Sequence, residues 1–258
     1  MKKCAILLLV LILALCASAQ ADLLDEVRSR GKLVIATEGA WSPWTFHDES
    51  DQLVGFDVDV ARAIAEKLGV DAEFVECPWE SIFLGIDSKM YDMASNCVAI
   101  TEERSLKYDF TQPYAYLQTA LIVRGDNDQI HSFDDLAGRR TANSIGSTYA
   151  MLGESYGAVI DNVSTLAQTL DLVLSGRADA TLNAELSFYD YMKEHPDANL
   201  KIVALSPNPE KVGIPVRKGN EAFLSALNDA ISALREDGTL KTISHRYFTP
   251  DITSLSGN

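Results

Sequence analysis

The sequence predicts an α/β fold of two halves, each a sheet covered on both faces by helices. Three observations carry that prediction. Short apolar runs rich in β-branched residues alternate with stretches whose apolar residues recur every three or four positions, which is the pattern of βαβ units. Two such series follow one another, meeting after Thr111-Gln112-Pro113. No low-complexity linker separates them, so the halves are expected to share a rigid hinge rather than a flexible tether.

The elements follow in order. After a short helix ending at Gly31, Lys32 to Thr37 (KLVIAT) reads as a buried strand. A loop holding Trp41, Pro43, Trp44 and Phe46 comes next. From Gly55-Phe56 onward, Val58, Ala61, Ile64, Ala65 and Leu68 fall on one helical stripe that Gly69 stops. Asp71 to Cys77 is a second strand, Ser81 to Ser88 a short helix and Tyr91 to Ser95 a third strand. In the second series Leu121 to Val123 and Arg139 to Ser144 are strands, and Gly146-Ser147-Thr148 opens a helix. Ser164 is assigned as the N-cap of a helix whose Leu166, Leu170, Val173 and Leu174 form a stripe ending at Gly176. Asp179 to Leu182 is a strand, Ser187 to Lys193 a helix and Leu200 to Leu205 a strand. The tail is helical: Phe223, Leu224, Leu227, Ile231 and Leu234 share a face closed by Gly238, and a last segment carries Leu240, Ile243, Tyr247 and Phe248.

Composition excludes whole classes of function. The 258 residues hold 22 Lys and Arg against 37 Asp and Glu, a formal net charge of −15. Nucleic acid and anionic membrane surfaces both require clustered cations that this chain lacks. At 47% hydrophobic and 23% charged residues, it can bury a core and is not disordered.

The amino terminus points to export. Lys2 and Lys3 precede a charge-free run from Cys4 to Leu15, followed by Ala17-Ser18-Ala19 and Ala19-Gln20-Ala21. This is the anatomy of a signal peptide, assigned to residues 1–21. The apolar run is shorter than the roughly 20 residues of a membrane span. Lipid attachment at Cys16 is disfavoured by the bulky Leu15 before it. Loss of Lys2 and Lys3 would leave the exported chain still more acidic, with Cys77 and Cys97 its remaining cysteines. Whether those two pair stays open, because a disulfide needs Cα atoms within about 7 Å.

Catalytic patterns dissolve on inspection. Gly153-Glu154-Ser155-Tyr156-Gly157 fits G-x-S-x-G, but a nucleophile elbow needs a strand before it and a helix after it. The order here is reversed, so the segment reads as a helix-to-strand turn. His47, His131, His195 and His245 are scattered through polar stretches, and no C-x-x-C or phosphate-binding glycine loop occurs. No metal or other cofactor is expected.

What remains suits binding. All three tryptophans lie between residues 41 and 79, beside loops that leave strands, where ligands of open α/β sheets sit. Trp41 and Trp79 can stack on a solute, while Trp44 is balanced between that role and the core. Thr101-Glu102-Glu103-Arg104 resembles a helix start, and its arginine offers a planar fork of donors for a carboxylate. Ser147 and Thr148 open another helix, with free amides and hydroxyls suited to an anion.

These residues together resemble a known family. Gly55-Phe56-Asp57-Val58-Asp59-Val60-Ala61-Arg62-Ala63-Ile64-Ala65 is similar to the signature of bacterial extracellular solute-binding proteins of the polar amino-acid family. Ile100-Thr101-Glu102-Glu103-Arg104, Tyr108-Asp109-Phe110-Thr111-Gln112-Pro113-Tyr114, Gly176-Arg177-Ala178-Asp179-Ala180, Val216-Arg217-Lys218-Gly219-Asn220 and Asp237-Gly238-Thr239-Leu240 resemble its further landmarks. Leu23-Leu24, Trp79, Asp87-Ser88-Lys89 and Asn96 resemble its cystine- and cysteine-type binders.

The resemblance implies a type II periplasmic binding protein, with two α/β lobes joined by a two-strand hinge. Residues 22–116 and 213–258 would form a discontinuous first lobe and 117–212 the second. It implies that Trp41 stacks over the ligand, that Trp79 lines the pocket, and that Arg104 binds an α-carboxylate helped by Ser147 and Thr148. Asn96 and Cys97 would lie on the cleft floor. Two positions depart from the family pattern. Ala99 stands where a hydroxyl is usual, and Ala184 where an aspartate receives the α-ammonium. An unpaired buried ammonium costs several kcal/mol, so either Asn183 or Glu185 substitutes or the ligand lacks an ordinary α-amino group.

The expected function is therefore a non-enzymatic, secreted or periplasmic monomer. It would capture a small polar amino acid or analogue, cystine- or cysteine-like, for a membrane ABC permease. The rivals are an exported cyclohexadienyl dehydratase on the same scaffold, with Glu185 as general acid, and a sensory binding protein uncoupled from transport.

Overall fold

Asp22 starts the fold by capping two helices at once. One carboxylate oxygen accepts the amides of Leu24 at 2.9 Å and Phe223 at 3.0 Å, and the other accepts that of Ala222 at 3.1 Å. The structure, a computed structural model, describes residues 22–255. The signal segment assigned to residues 1–21 and the lipidation site at Cys16 lie outside these.

From Asp22 the chain runs through α1 (Leu23–Arg30) and β1 (Lys32–Thr37), then the hairpin β2 (Phe46–His47) and β3 (Leu53–Val54). Gly55 follows at φ 134°, where a Cβ would collide with the Trp44 carbonyl, so only glycine fits ahead of α2 (Phe56–Leu68). Next come β4 (Asp71–Glu76), α3 (Trp79–Asp87), β5 (Met93–Ala94), α4 (Glu102–Lys107), β6 (Tyr108–Phe110) and β7 (Ala115–Leu117). The second series is β8 (Thr119–Arg124), β9 (Arg140–Asn143), α5 (Thr148–Ser155), β10 (Val159–Asn162), α6 (Leu166–Leu174), β11 (Ala180–Ala184), α7 (Glu185–Glu194) and β12 (Leu200–Leu205). Finally β13 (Glu210–Val212) and β14 (Pro215–Arg217) lead to α8 (Glu221–Glu236) and α9 (Thr239–Tyr247).

Two five-stranded sheets result, in the orders β4-β1-β5-β14-β6 and β10-β9-β11-β8-β12. Neither is wholly parallel. β14 runs antiparallel to β5 and β6, and β8 antiparallel to β11 and β12. Both strands enter their sheet directly from the hinge, against the direction of the strands whose carboxyl ends face it. The hinge is the antiparallel pair β7–β13, with Glu210 opposite Leu117 and Val212 opposite Ala115.

The helix at residue 166 is capped by Thr165 rather than Ser164. The Thr165 hydroxyl accepts the Gln168 amide at 3.3 Å, and the Gln168 side chain returns to the Ser164 amide at 3.0 Å. The G-x-S-x-G segment is a helix end followed by Gly157 at φ 81° and then β10, as its order predicts. Trp44 belongs to the core: it is fully buried, 4.9 Å from Phe248 and 5.8 Å from Phe56 between ring centroids. Such pairs each add about 0.5–1.5 kcal/mol beyond area burial. Among the described residues no helix is long and apolar enough to cross a membrane.

Candidate functional site

The carboxyl ends of β1, β4 and β5 and the amino-terminal ends of α5 and α6 meet at one cleft. Cross-lobe hydrogen bonds close it. Trp44 Nε1 donates to Ser187 Oγ at 2.7 Å, Ser42 Oγ to Asp190 at 2.7 Å, and Arg104 Nη2 to the Gly146 carbonyl at 3.1 Å.

Arg104 is placed by its helix. The Thr101 hydroxyl caps α4 by accepting the Arg104 amide at 3.1 Å. The guanidinium lies 5.1 Å over the Trp79 ring and 5.4 Å over the Phe83 ring, and Nη1 donates to the Ala99 carbonyl at 2.9 Å. The two rings stand nearly perpendicular to each other, at 87°, and their cation–π contacts hold the guanidinium at the cleft wall from two sides. Burial lowers its pKa from the ordinary value, and the charges of Glu210 and Glu103 oppose that.

Across the cleft, the Ser147 hydroxyl caps α5 by accepting the Ala150 amide at 3.1 Å, and Thr148 Oγ1 donates to Glu210 at 3.2 Å. The Thr148 hydroxyl hydrogen is thus committed to Glu210, and the Ser147 O–H together with the backbone amides of the first turn is what α5 presents to an anion.

Glu38 also lines the cleft, and the sequence reading missed it. Asn96 Nδ2 donates to its carboxylate at 2.6 Å, while Asn96 Oδ1 accepts the Glu38 amide at 2.8 Å. Burial raises the Glu38 pKa to about 7, against the hydrogen bond from Asn96. The available signal was its position, a carboxylate immediately after the carboxyl end of the first strand. Ala40, Ser144, Tyr149, Ser164, Thr165 and Leu166 complete the lining beyond the expected residues.

The ten sequence-predicted site residues divide. Trp41, Trp79, Cys97, Ala99, Arg104, Ser147, Thr148 and Asn183 line the cleft. Asn96 is fully buried behind it and meets the cleft only through Glu38. Glu185 lies outside, in a separate groove with Tyr189, Asp190 and Phe248. Ala184 is fully buried, and its amide donates to Asn183 Oδ1 at 2.9 Å.

Trp41 packs edge-on against Tyr149 at 6.2 Å, and its buried indole N–H has no acceptor among the described residues. Cys97 takes a left-handed φ of 48°. Its amide donates to the buried carboxylate of Asp57, which also accepts the Tyr114 hydroxyl at 2.6 Å. Burial raises the Asp57 pKa to about 7 and lifts the Cys97 thiol well above its ordinary value. Cys77 and Cys97 are both free thiols, on loops after β4 and β5 with β1 between those strands.

Residues 33–250 match the family described as bacterial extracellular solute-binding proteins, family 3. A probable amino-acid ABC transporter-binding protein of Haemophilus influenzae is 39% identical, covering 92% of each chain. The L-cystine-binding protein TcyA of Bacillus subtilis is 35% identical over 90% of this chain and 87% of its own. An ancestral arginine-binding protein bound to arginine superposes with a TM-score of 0.80 at 35% identity, covering 85% of this chain and 99% of that one. The L-cystine solute receptor of Neisseria gonorrhoeae, unliganded and open, reaches only 0.61 at 37% identity, covering 91% and 100%. The lower score at the higher identity agrees with the closed cleft seen here.

Proposed function

Because the chain belongs to the bacterial extracellular solute-binding proteins, family 3, we propose that it captures a cystine- or cysteine-like amino acid and presents it to a membrane ABC permease. The observation that carries this reading is the pairing of Arg104 and the α5 amides with Glu38 inside one closed cleft. Arg104 and α5 receive the α-carboxylate. Glu38, ionised on contact with a cation, receives the α-ammonium that an aspartate at Ala184 would otherwise take. Trp41 and Trp79 pack on the side chain. Sequence likeness to the L-cystine binders supports the ligand class.

Binding draws the lobes together, since the ligand touches both lobes only when they are closed. We place the boundaries of the moving parts at 116/117 and 212/213, within the β7–β13 pair. The protein acts outside the cytoplasm as a monomer after removal of its signal peptide, and the permease reads the closed form. It is a binding protein rather than an enzyme. Glu185, the general acid of the dehydratase alternative, stands outside the cleft.

Titration calorimetry with L-cystine, L-cysteine and L-arginine tests the reading. L-Cystine or L-cysteine is expected to bind, and Arg104→Ala to weaken that binding at least 100-fold and abolish the ligand-induced rise in Tm. Binding of L-arginine alone would overturn the ligand class. An undiminished Tm rise in the variant would remove Arg104 from the site.

A further inference from the structure

Glu210 stands on the hinge strand β13, opposite Leu117, and faces the groove behind the cleft. Its carboxylate accepts Thr119 Oγ1 at 2.7 Å, on the first residue of β8, and Thr148 Oγ1 at 3.2 Å, on the first residue of α5. Among the described residues its partners are these two hydroxyls, with no cation at ion-pair distance. It is nevertheless the leading opposite charge acting on Arg104, and burial raises its own pKa against the pull of Arg104 and both threonines.

Two consequences follow from elementary electrostatics. By holding Thr148, Glu210 ties the first turn of α5 to the hinge and leaves that turn's amides, rather than the Thr148 hydroxyl, for an anion. Because Thr148, which it holds, lies two residues from the Gly146 carbonyl that accepts Arg104, the Glu210 carboxylate also opposes any carboxylate the guanidinium holds. On the reading of Arg104 as the carboxylate anchor, we propose that Glu210 is a positioning and specificity-determining residue: it anchors the α5 amides and moderates the cleft's preference for a carboxylate over a neutral group. A grip moderated in this way suits a protein that must also release its ligand.

The readout is a ratio of affinities. Whichever of L-cystine or L-cysteine binds is titrated beside its amide, L-cystine diamide or L-cysteinamide, which keeps the ammonium and loses the carboxylate charge. Glu210's attraction for Arg104 is common to both ligands and cancels in the ratio, whereas its repulsion of the carboxylate does not. Glu210→Gln is expected to raise the preference for the carboxylate form roughly three- to tenfold. Glu210→Ala should raise it as well, while weakening both ligands through loss of the Thr148 anchor. Glu210→Asp keeps the charge and should leave the ratio near that of the wild type.

An unchanged or lowered ratio in both uncharged variants would overturn the proposal, as would a shift in Glu210→Asp as large as in Glu210→Gln. A wild type that does not prefer the carboxylate form would instead overturn the assignment of Arg104, and this inference with it.

Discussion

Glu38 and Arg104 give the cleft opposite charges, and each is shaped by what surrounds it. Arg104 is legible in sequence because a helix-start arginine after a threonine cap is a local pattern. Glu38 becomes significant only once Asn96, a residue 58 positions away, bonds both its amide and its carboxylate. The same bonds explain why Asn96, expected on the cleft floor, lies behind it. Since the Glu38 pKa is raised to about 7 by burial, and an ammonium binds the ionised carboxylate, affinity for an amino acid should rise between pH 6 and pH 8. Calorimetry across that range should show the rise in the wild type and its loss in Glu38→Gln; parallel pH profiles would show that Glu38 does not meet the ammonium. Cys97 is expected to stay unmodified in folded protein under mild alkylation, because its burial disfavours the thiolate.

At the scale of elements, the sequence pattern located the helices and the longer strands, while β2, β3, β6, β7, β13 and β14, of two or three residues each, are too short to show a period. Thr165 displaces Ser164 as a cap because the reciprocal bonds with Gln168 require a three-residue spacing. α3 begins at Trp79, directly after Pro78, whose ring leaves no N–H to extend the β4 ladder and fixes φ at −57° ahead of the helix. Strand direction was not legible: β8 reads as an ordinary apolar run and β14 has no strand signal of its own, and only their connection through the hinge sets both antiparallel to their neighbours. Asp22 shows how far a local cap can reach, since it satisfies the starts of both α1 and α8. Asp22→Ala is expected to lower stability by about 1–2 kcal/mol, the range of a lost N-cap. Urea unfolding checks this, and a change within a few tenths would mean that water caps both helices equally well.

At the scale of the whole molecule, Asp57 joins the start of α2, the cleft floor at Cys97 and Tyr114 at the approach to the hinge. Its carboxyl titrates near 7 in the folded chain and near 3.9 when unfolded. Between about pH 4 and pH 7 the unfolded chain therefore releases a proton that the folded chain keeps, so stability falls as pH rises through this window and levels off above it. Urea midpoints measured from pH 4.5 to 8 should decline more steeply in the wild type than in Asp57→Asn. The difference between them isolates Asp57, since Glu38 contributes the same sign in both proteins. Equal slopes would show that the Tyr114 and Cys97 bonds hold Asp57 ionised throughout.

The sequence alone determined what depends on near neighbours along the chain: the α/β alternation, the helix stops, and the arginine and serine at helix starts. It also carried the family resemblance, because the signature segments are contiguous. Tertiary structure decided what depends on pairs far apart in the chain. It brought Glu38 to the cleft through Asn96, put Asn96 itself out of reach, and left Glu185 on an outer groove. It buried Trp44 against Phe248, more than two hundred residues away. The physical reason is burial: a carboxylate or an indole acquires its pKa, its partners and its role from the atoms that exclude water around it. In this fold those atoms come from the other lobe or from the far end of the chain.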